Sequence, residues 1–423
     1  MKEKKMKKNM WFLGIALVSL SALSEIVPVR PVGGTEVKIV PDVQKKVMNL
    51  PTYKERLDLL QWDRANGKKI RHDKNWRKAC PLVLEWKATA GEKGPWKIMI
   101  GKKPDLSDAR VWFKSVKSED KATGRETGKD NSQVVEKYEV PYANLEINTT
   151  YYWRVFTRGY CGWGCNPKHG CEACKKVCES ETASFRTEDF APRWMAVEGP
   201  VGNMRDLGGR KTVDGRRVRQ GMIYRGQGLN NNSVTGEVRG RNRLTMADVE
   251  YMTKTLGIKT DLDQRGPGEI ADMTESPLGP SVKWINNSSA CYAGIFQPDG
   301  MKVMAKNFRV FCDEKNYPIY FHCIGGADRA GSLAYTLNGI LGVERHLLNT
   351  DWESTFYPTL SEMRSDYKDH SYWCGEWHFD DGFAKYGDAD TPWNKRIELY
   401  LLACGVTKEE IEKFRSIMLV DEK

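Results

Sequence analysis

His322-Cys323-Ile324-Gly325-Gly326-Ala327-Asp328-Arg329-Ala330-Gly331-Ser332 is the stretch that decides how this 423-residue chain reads. Ahead of it runs Tyr317-Pro318-Ile319-Tyr320-Phe321, short and apolar as a buried strand is. Behind it, Leu333 to Leu341 is apolar at helical spacing. A strand, a glycine-bearing turn and a helix start together make an anion cradle. The N–H groups of a first helical turn lack intrahelical partners and converge with the positive end of the helix dipole. A thiol at such a spot ionises readily, because helix N-termini and nearby cations bring cysteine pKa values to roughly 3.5–7.5. Cys323 is therefore expected to be a thiolate nucleophile suited to in-line attack on phosphorus. Arg329 supplies a planar fork for two phosphoryl oxygens. Ile324, Gly325, Gly326, Ala327, Ala330 and Gly331 would wrap the bound group, the glycines letting the backbone close without a Cβ clash.

His322-Cys323, five residues and Arg329 resemble the signature of cysteine-dependent tyrosine phosphatases. Asn203-Met204-Arg205-Asp206-Leu207-Gly208-Gly209, followed by Gly221-Met222-Ile223-Tyr224-Arg225, resembles the opening of the bacterial tyrosine/lipid phosphatase family. Gly257-Ile258-Lys259-Thr260-Asp261-Leu262-Asp263-Gln264-Arg265 is similar to that family's strand ending in Asp-Leu-Arg. The three motifs span roughly residues 194 to 423 and do not reach the N-terminal half. The resemblance implies an α/β domain and a phosphomonoester hydrolase, protein-tyrosine or dual-specificity, acting through a cysteinyl-phosphate. It implies no metal or cofactor, since Arg329 and the loop dipoles carry the charge stabilisation. Within it, His322 orients the loop, and Arg205 and Asp206 brace it.

Two positions depart from the family pattern. Ala327 stands where the family usually has Lys, which weakens a phosphoinositide reading. Ala330 stands where a Ser or Thr hydroxyl helps the thiolate leave, so either breakdown of the intermediate is slow or Ser332 partly stands in. The alternative function is thus a phosphate-binding pseudo-phosphatase that serves as an interaction module. The general acid stays open between Asp328 inside the loop and Asp263 at its strand end, where ligands bind in α/β sheets. Asp299 in Gln297-Pro298-Asp299-Gly300 reads either as an acid on a mobile loop or as a plain turn.

Residues 1–24 read as a signal peptide: Lys2, Lys4, Lys5, Lys7 and Lys8, then an apolar run from Trp11 to Leu23. The chain is expected to be exported, to a periplasmic or extracellular space, with membrane association only if that segment is retained. The formal charge of +10 falls to about +6 without it, which suits anionic substrates and does not demand nucleic acid. Eleven cysteines in an exported chain suggest disulfides. Cys161, Cys165, Cys171, Cys174 and Cys178 crowd one segment with His169, readable as a disulfide-stapled loop or a structural metal site. Cys291, Cys312, Cys374 and Cys404 would make two pairs and leave Cys323 free.

The fold class expected is multidomain: an N-terminal all-β sandwich followed by an α/β tyrosine-phosphatase-like domain. Residues 25–75 read as an N-terminal arm and 76–189 as the sandwich with a Cys-rich hairpin insertion. Asp189 to Arg193 reads as a linker into a catalytic domain over 190–423. Strand patterns occur at Leu82–Trp86, Trp96–Ile100, Val111–Phe113, Val134–Val140, Tyr151–Phe156 and Thr182–Thr187. Leu145 with Thr150-Tyr151-Tyr152-Trp153 resembles the penultimate-strand corner of fibronectin type III-like domains, which implies a role in holding a glycan or protein partner. The substrate side would meet a phosphorylated protein or a small phosphomonoester. Trp373, Trp377, His378 and Phe379 form an aromatic insertion, read either as a pocket rim or as a packed loop. Asn394 to Cys404 is helical in pattern, and Thr407 with Glu410 makes a capping box for a last helix.

Overall fold

The computed structural model describes residues 26–65, 79–89, 94–115, 126–127, 133–157, 178–230, 243–270, 272–355 and 374–422. The expected signal peptide, Cys161, Cys165, His169, Cys171, Cys174, Trp373 and most of the charged stretch from Lys117 to Asp130 lie outside them.

Toward the N-terminus come β1 (Ile26–Arg30), β2 (Glu36–Val37), α1 (Asp42–Met48), α2 (Tyr53–Ala65), β3 (Leu82–Thr89), β4 (Trp96–Gly101), β5 (Arg110–Lys114), β6 (Glu126–Thr127), β7 (Gln133–Val140), β8 (Thr150–Thr157) and β9 (Ala183–Thr187). The strands form two sheets, ordered β1-β3-β7-β6 and β2-β9-β8-β4-β5. Burial alternates along β4 and β8, as period-2 patterning requires. The inward residues of both sheets share one core around the fully buried Trp86, Trp96 and Trp153. At the entry to β8 the Tyr151 hydroxyl accepts the Glu146 N–H at 2.9 Å, the arrangement of a tyrosine corner.

The segment expected as an arm is divided between two cores. β1 pairs with β3 and β2 with β9. Val47 and Met48 of α1 and Leu57 and Leu60 of α2 belong instead to the C-terminal core. Arg56 of α2 is sealed there against Glu353, both side chains essentially without solvent contact. Weak helical periodicity hid these helices, because their buried residues include Gln44 and Arg56.

Beyond residue 190 follow β10 (Arg193–Trp194), β11 (Arg205–Asp206), β12 (Arg217–Val218), β13 (Ile223–Gln227), α3 (Met246–Glu250), β14 (Thr260–Asp263), α4 (Pro267–Ile270), β15 (Lys283–Asn286), α5 (Pro298–Phe311), β16 (Ile319–Cys323), α6 (Asp328–Ile340), α7 (Arg345–Ser354), α8 (Gly375–Phe383), α9 (Trp393–Ala403), α10 (Lys408–Met418) and β17 (Leu419–Val420). The principal sheet runs β10-β11-β13-β16-β14-β15, with β13, β16, β14 and β15 parallel. Ile319 and Phe321 of the central strand face the helical core with Leu333 and Leu337 of α6. Tyr320 faces the opposite core with Tyr224, Met204 and Met252. Covering both faces is what a parallel sheet needs. Thr407 and Glu410 form the expected capping box at α10.

The expected linker is tied down. Arg193 is buried and donates to the Leu145 and Asn144 carbonyls at 3.0 and 2.8 Å while pairing with Asp206 at 2.7 Å. Asp189 takes both terminal nitrogens of Arg217 at 2.8 and 2.9 Å. Gln220 exchanges two hydrogen bonds with the Ile147 backbone. No helix among the described residues is long and apolar enough to cross a membrane.

Candidate active site

Cys323 ends the central strand, opposite Gln227 of β13, while Asp263 of β14 pairs with His322. The three parallel strands therefore stop at one edge, and the 323–329 loop crosses it into α6. Each loop carbonyl is held from the β13 side. Ile324 O accepts from the Gly228 N–H at 3.1 Å and Gly325 O from Asn203 Nδ2 at 3.1 Å. Gly326 O and Ala327 O accept from Arg225 Nη2 at 2.7 and 3.3 Å. In a trans peptide the next N–H points opposite to the carbonyl. Fixing these four carbonyls on one side therefore turns the N–H groups of Gly325, Gly326, Ala327 and Asp328 to the other. Among the described residues none accepts from those four groups, and α6 has no side-chain N-cap. Gly326 has a φ of +65°, and a Cβ there would collide with the Gly226 carbonyl. This explains the glycine on both close-approach and conformational grounds.

Arg329 is half-buried and gripped end-on by Glu269 of α4, Nη1 to Oε2 at 2.5 Å and Nη2 to Oε1 at 2.8 Å. That grip leaves the Nε–H and second Nη2 hydrogen on one edge, the geometry that takes an oxyanion side-on. The hydrogen bond from Arg329 holds the Glu269 carboxyl below its ordinary pKa, so the grip is ionic at neutral pH.

Behind the loop lies a buried charge cluster. Asp351 of α7 receives Arg205 Nε at 3.0 Å, Arg210 Nη2 at 2.5 Å and Arg225 Nη1 at 3.1 Å. Burial works to raise the Asp351 pKa, but the three guanidiniums outweigh it and hold the carboxyl well below the carboxylate range. Arg205 also donates to Asn203 Oδ1 at 2.5 Å, which fixes the amide that holds Gly325. Asp206 instead shapes the connection that follows it, accepting from the Gly208 and Gly221 N–H groups.

The two candidate acids sit in different surroundings. Asp263 is fully buried and bound to Arg265 through Nε and Nη2 at 2.9 and 2.7 Å, with His322 Nδ1 at 3.7 Å. Burial works to raise its pKa, but His322 and Arg265 outweigh that and lower it, so the carboxyl is ionised and occupied. His322 Nε2 lies 2.9 Å from Asp261 Oδ1, and Nδ1 meets the Cys323 carbonyl at 3.2 Å. Burial opposes protonation of His322, yet Asp263 and Asp261 raise its pKa. Asp328 is only half-buried at the loop's helical end, and its Oδ1 accepts the Tyr292 hydroxyl. Asp299 opens α5 with its side chain 95 % exposed and paired to Lys302, so that segment is a helix start rather than a bare turn.

Ala330 is fully buried. Ser332, expected as a substitute hydroxyl, donates to the Asp328 carbonyl at 2.9 Å and accepts the Tyr292 N–H at 3.1 Å. The aromatic insertion splits. Phe379 is core, stacked on Tyr335 at 4.2 Å, while His378 stacks at 4.5 Å on Tyr292. Trp377 is exposed. Cys291, Cys312, Cys374 and Cys404 are free thiols, which corrects the expected two disulfides. They occupy separate element ends, before residue 292, after α5, before α8 and after α9. Burial pushes Cys291 up to about 11 and the other three up to about 12. Among the described residues no group of three or more His, Cys, Asp or Glu is placed to hold a metal.

Residues 196–420 match the tyrosine phosphatase family. The chain belongs to that family. A Cupriavidus necator protein bearing a tyrosine-protein phosphatase name is 28% identical over 187 aligned positions. That alignment covers 36% of this tyrosine phosphatase family member and 62% of the relative. The core catalytic domain of the PP-IP phosphatase SIW14 from S. cerevisiae, solved with citrate, aligns at a TM-score of 0.22. It is 13% identical over 34% of this chain and 82% of that one, a likeness too slight to carry any argument.

Arg225 lies inside the Gly221–Arg225 motif, yet nothing in the sequence shows that it reaches under the loop. Glu269 and Asp351 carried no signal, since neither stands in a motif. Tyr292 had none either.

Proposed function

We propose that this chain hydrolyses phosphomonoesters, as a protein-tyrosine or dual-specificity phosphatase, through a cysteinyl-phosphate on Cys323. The observation that carries the reading is the outward clamping of the loop carbonyls by Gly228, Asn203 and Arg225. It presents a row of N–H groups to an oxyanion beside the open edge of Arg329. In the first step the Cys323 sulfur bonds to phosphorus, the ester P–O bond breaks, and Asp328 protonates the leaving oxygen. In the second, water attacks phosphorus, Asp328 takes its proton, and the S–P bond breaks to release phosphate and the thiolate. Asp328 fits the acid role better than Asp263, whose oxygens already serve Arg265. Ile324, Gly325, Gly326, Ala327, Ala330 and Gly331 would line the phosphoryl site.

The test is p-nitrophenyl phosphate turnover by wild type and Cys323→Ser, with rapid-quench detection of a phosphoenzyme. Equal rates in the two proteins end the reading. A second reading, a phosphate-binding pseudo-phosphatase, draws support from Ala330 and from the commitment of the Ser332 hydroxyl to Asp328. A phosphoenzyme that forms once and does not turn over would favour it.

The N-terminal unit we propose to be fibronectin type III-like, on its two strand orders and the Tyr151 corner. A cavity of about 650 Å³ lies between it and the phosphatase unit. Tyr142 and Asn144 line one wall, and Asn203 and Gln227 the end near the loop. This supports a role in holding a protein or glycan next to the phosphoryl site. Export, to a periplasmic or extracellular space, belongs to the same proposal and rests on the Lys-rich, apolar start of the chain.

A further inference from the structure

The buried charges around Cys323 do not balance by pairs alone. On α6, Arg329 is matched by Glu269 of α4. On β14 and the residues after it, Arg265 is matched by Asp263, while Asp261 meets His322 of β16. Asp328 takes the Tyr292 hydroxyl, and Cys291 is a half-buried thiol whose pKa burial raises. Further out, Arg193 pairs with Asp206 and Arg56 with Glu353. The half-buried Arg243 donates to Gln227 Oε1 at 3.3 Å, and among the fully buried guanidiniums described there remains the group under the loop: Arg205, Arg210 and Arg225 share the single carboxylate of Asp351. The three guanidiniums are 0–3 % exposed, so water screens them little.

We infer that Arg225, backed by Arg205 and Arg210, is a positioning and charge-stabilising residue for Cys323, and that the thiolate or its bound phosphoryl group is the anion that balances the cluster. The inference rests on the proposed cysteine chemistry and adds a second cationic partner to it. Arg225 touches the loop itself, through Gly326 O and Ala327 O, so its charge and the direction of the loop N–H groups are set together. Burial and Arg205 depress the Arg225 pKa, while Asp351 works against that. The arrangement also answers the two departures in the loop. Ala327 and Ala330 bring neither an ammonium nor a hydroxyl to the sulfur from the substrate side. The guanidinium supplies positive charge from the buried side instead.

The test uses the full chain and measures iodoacetamide alkylation of Cys323 against pH, followed on its own peptide by mass spectrometry, with Cys323→Ser as blank. Removing the charge in Arg225→Met should slow alkylation at pH 6 by about tenfold, the equivalent of about one pH unit. Arg225→Lys, which keeps the charge, should recover most of it. Asp351→Asn should move the other way, since it removes the only carboxylate of the cluster, and should alkylate at pH 6 at least as fast as wild type. A merely structural role for the cluster would slow Arg225→Met and Asp351→Asn together, and that result overturns the inference. So does an Arg225→Met profile superimposable on wild type. Should Arg225→Met fail to fold by circular dichroism, the sign of the Asp351→Asn shift decides: slower than wild type overturns. Turnover of p-nitrophenyl phosphate is assayed in parallel. A missing turnover with the expected alkylation shifts sinks the phosphatase reading and leaves this inference standing. Normal turnover without the shifts does the reverse.

Discussion

Behind β4 and β8 the buried side chains include Trp96, Ile98, Trp153 and Val155, whereas behind β13, β14 and β16 they include Arg225, Asp261, Asp263 and His322. Both regions are sheets with a covered face, and both exclude water. The first is held by apolar area, worth about 25 cal/mol per Å² and indifferent to direction. The second holds charges that cost several kcal/mol each to bury unless they are paired. Apolar packing tolerates small shifts, while a hydrogen-bonded charge network is satisfied in one geometry only. The strand ends around Cys323 thus have the chemistry of a fixed frame, and the N-terminal sheets that of an adaptable support.

The comparison can be tested from its largest consequence downward. Cys323→Ser should lower p-nitrophenyl phosphate turnover by ~1,000-fold or more, with thermal unfolding moved by only a few degrees. A large loss of stability instead would mean that the sulfur belongs to the frame. Arg56→Met strands Glu353, whose pKa burial already raises to about 7, and should cost about 3–5 kcal/mol in urea unfolding at about pH 8, because the carboxylate left behind must stay buried unpaired or take up a proton. A cost under ~1 kcal/mol would remove the contrast between the two regions, since mispaired charge would then be no worse than a surface change. Trp153→Ala should cost a similar ~3–5 kcal/mol, yet activity per folded molecule should stay within about threefold. Its indole is sealed in the N-terminal core, with Nε1 on the Pro31 carbonyl. Abolished hydrolysis in protein still helical by circular dichroism would show that the sheets shape the site directly.

Acid sharpens the same contrast. Asp351 and Asp263 have lowered pKa values in the fold. Depressed carboxylates contribute stability that is fully present above their unfolded value near ~3.9 and lost as pH falls through the folded one. The stability these two carboxylates contribute should therefore be lost below about pH 4. Asp351→Asn should flatten that slope, as read by denaturant midpoints at pH 3 and 6. At the small end, Asp299→Asn should leave turnover within about twofold, as an exposed surface pair on Lys302 allows. A loss of a hundredfold would restore Asp299 as the acid.

The residues from His322 to Arg329, read with a strand before and a helix after, were enough to place the loop, and the Thr407–Glu410 box was enough to start α10. Those features are local: a period of two or 3.6, a glycine where φ is positive, a cap three residues from its partner. Helices α1 and α2 were hidden because their inward faces carry Gln44 and Arg56, which become core only when Trp194 and Glu353 arrive to meet them. The same holds for the disulfide arithmetic. Counting cysteines says nothing of where Cys291, Cys312, Cys374 and Cys404 stand, and the fold puts them at separate element ends.

By itself the chain of residues determined which strand, loop and helix carry Cys323 and Arg329, the nucleophile and phosphoryl grip we propose, since each element depends on neighbours a few positions away. Only the tertiary structure decided that Glu269 sets the face of Arg329, that Arg225 and Asn203 turn the loop amides inward, and that Asp263 is spent on Arg265. Those contacts join residues from different parts of the fold or hinge on which way a buried side chain turns. The pairing of a buried charge is settled by whatever else is buried beside it, which no local pattern records.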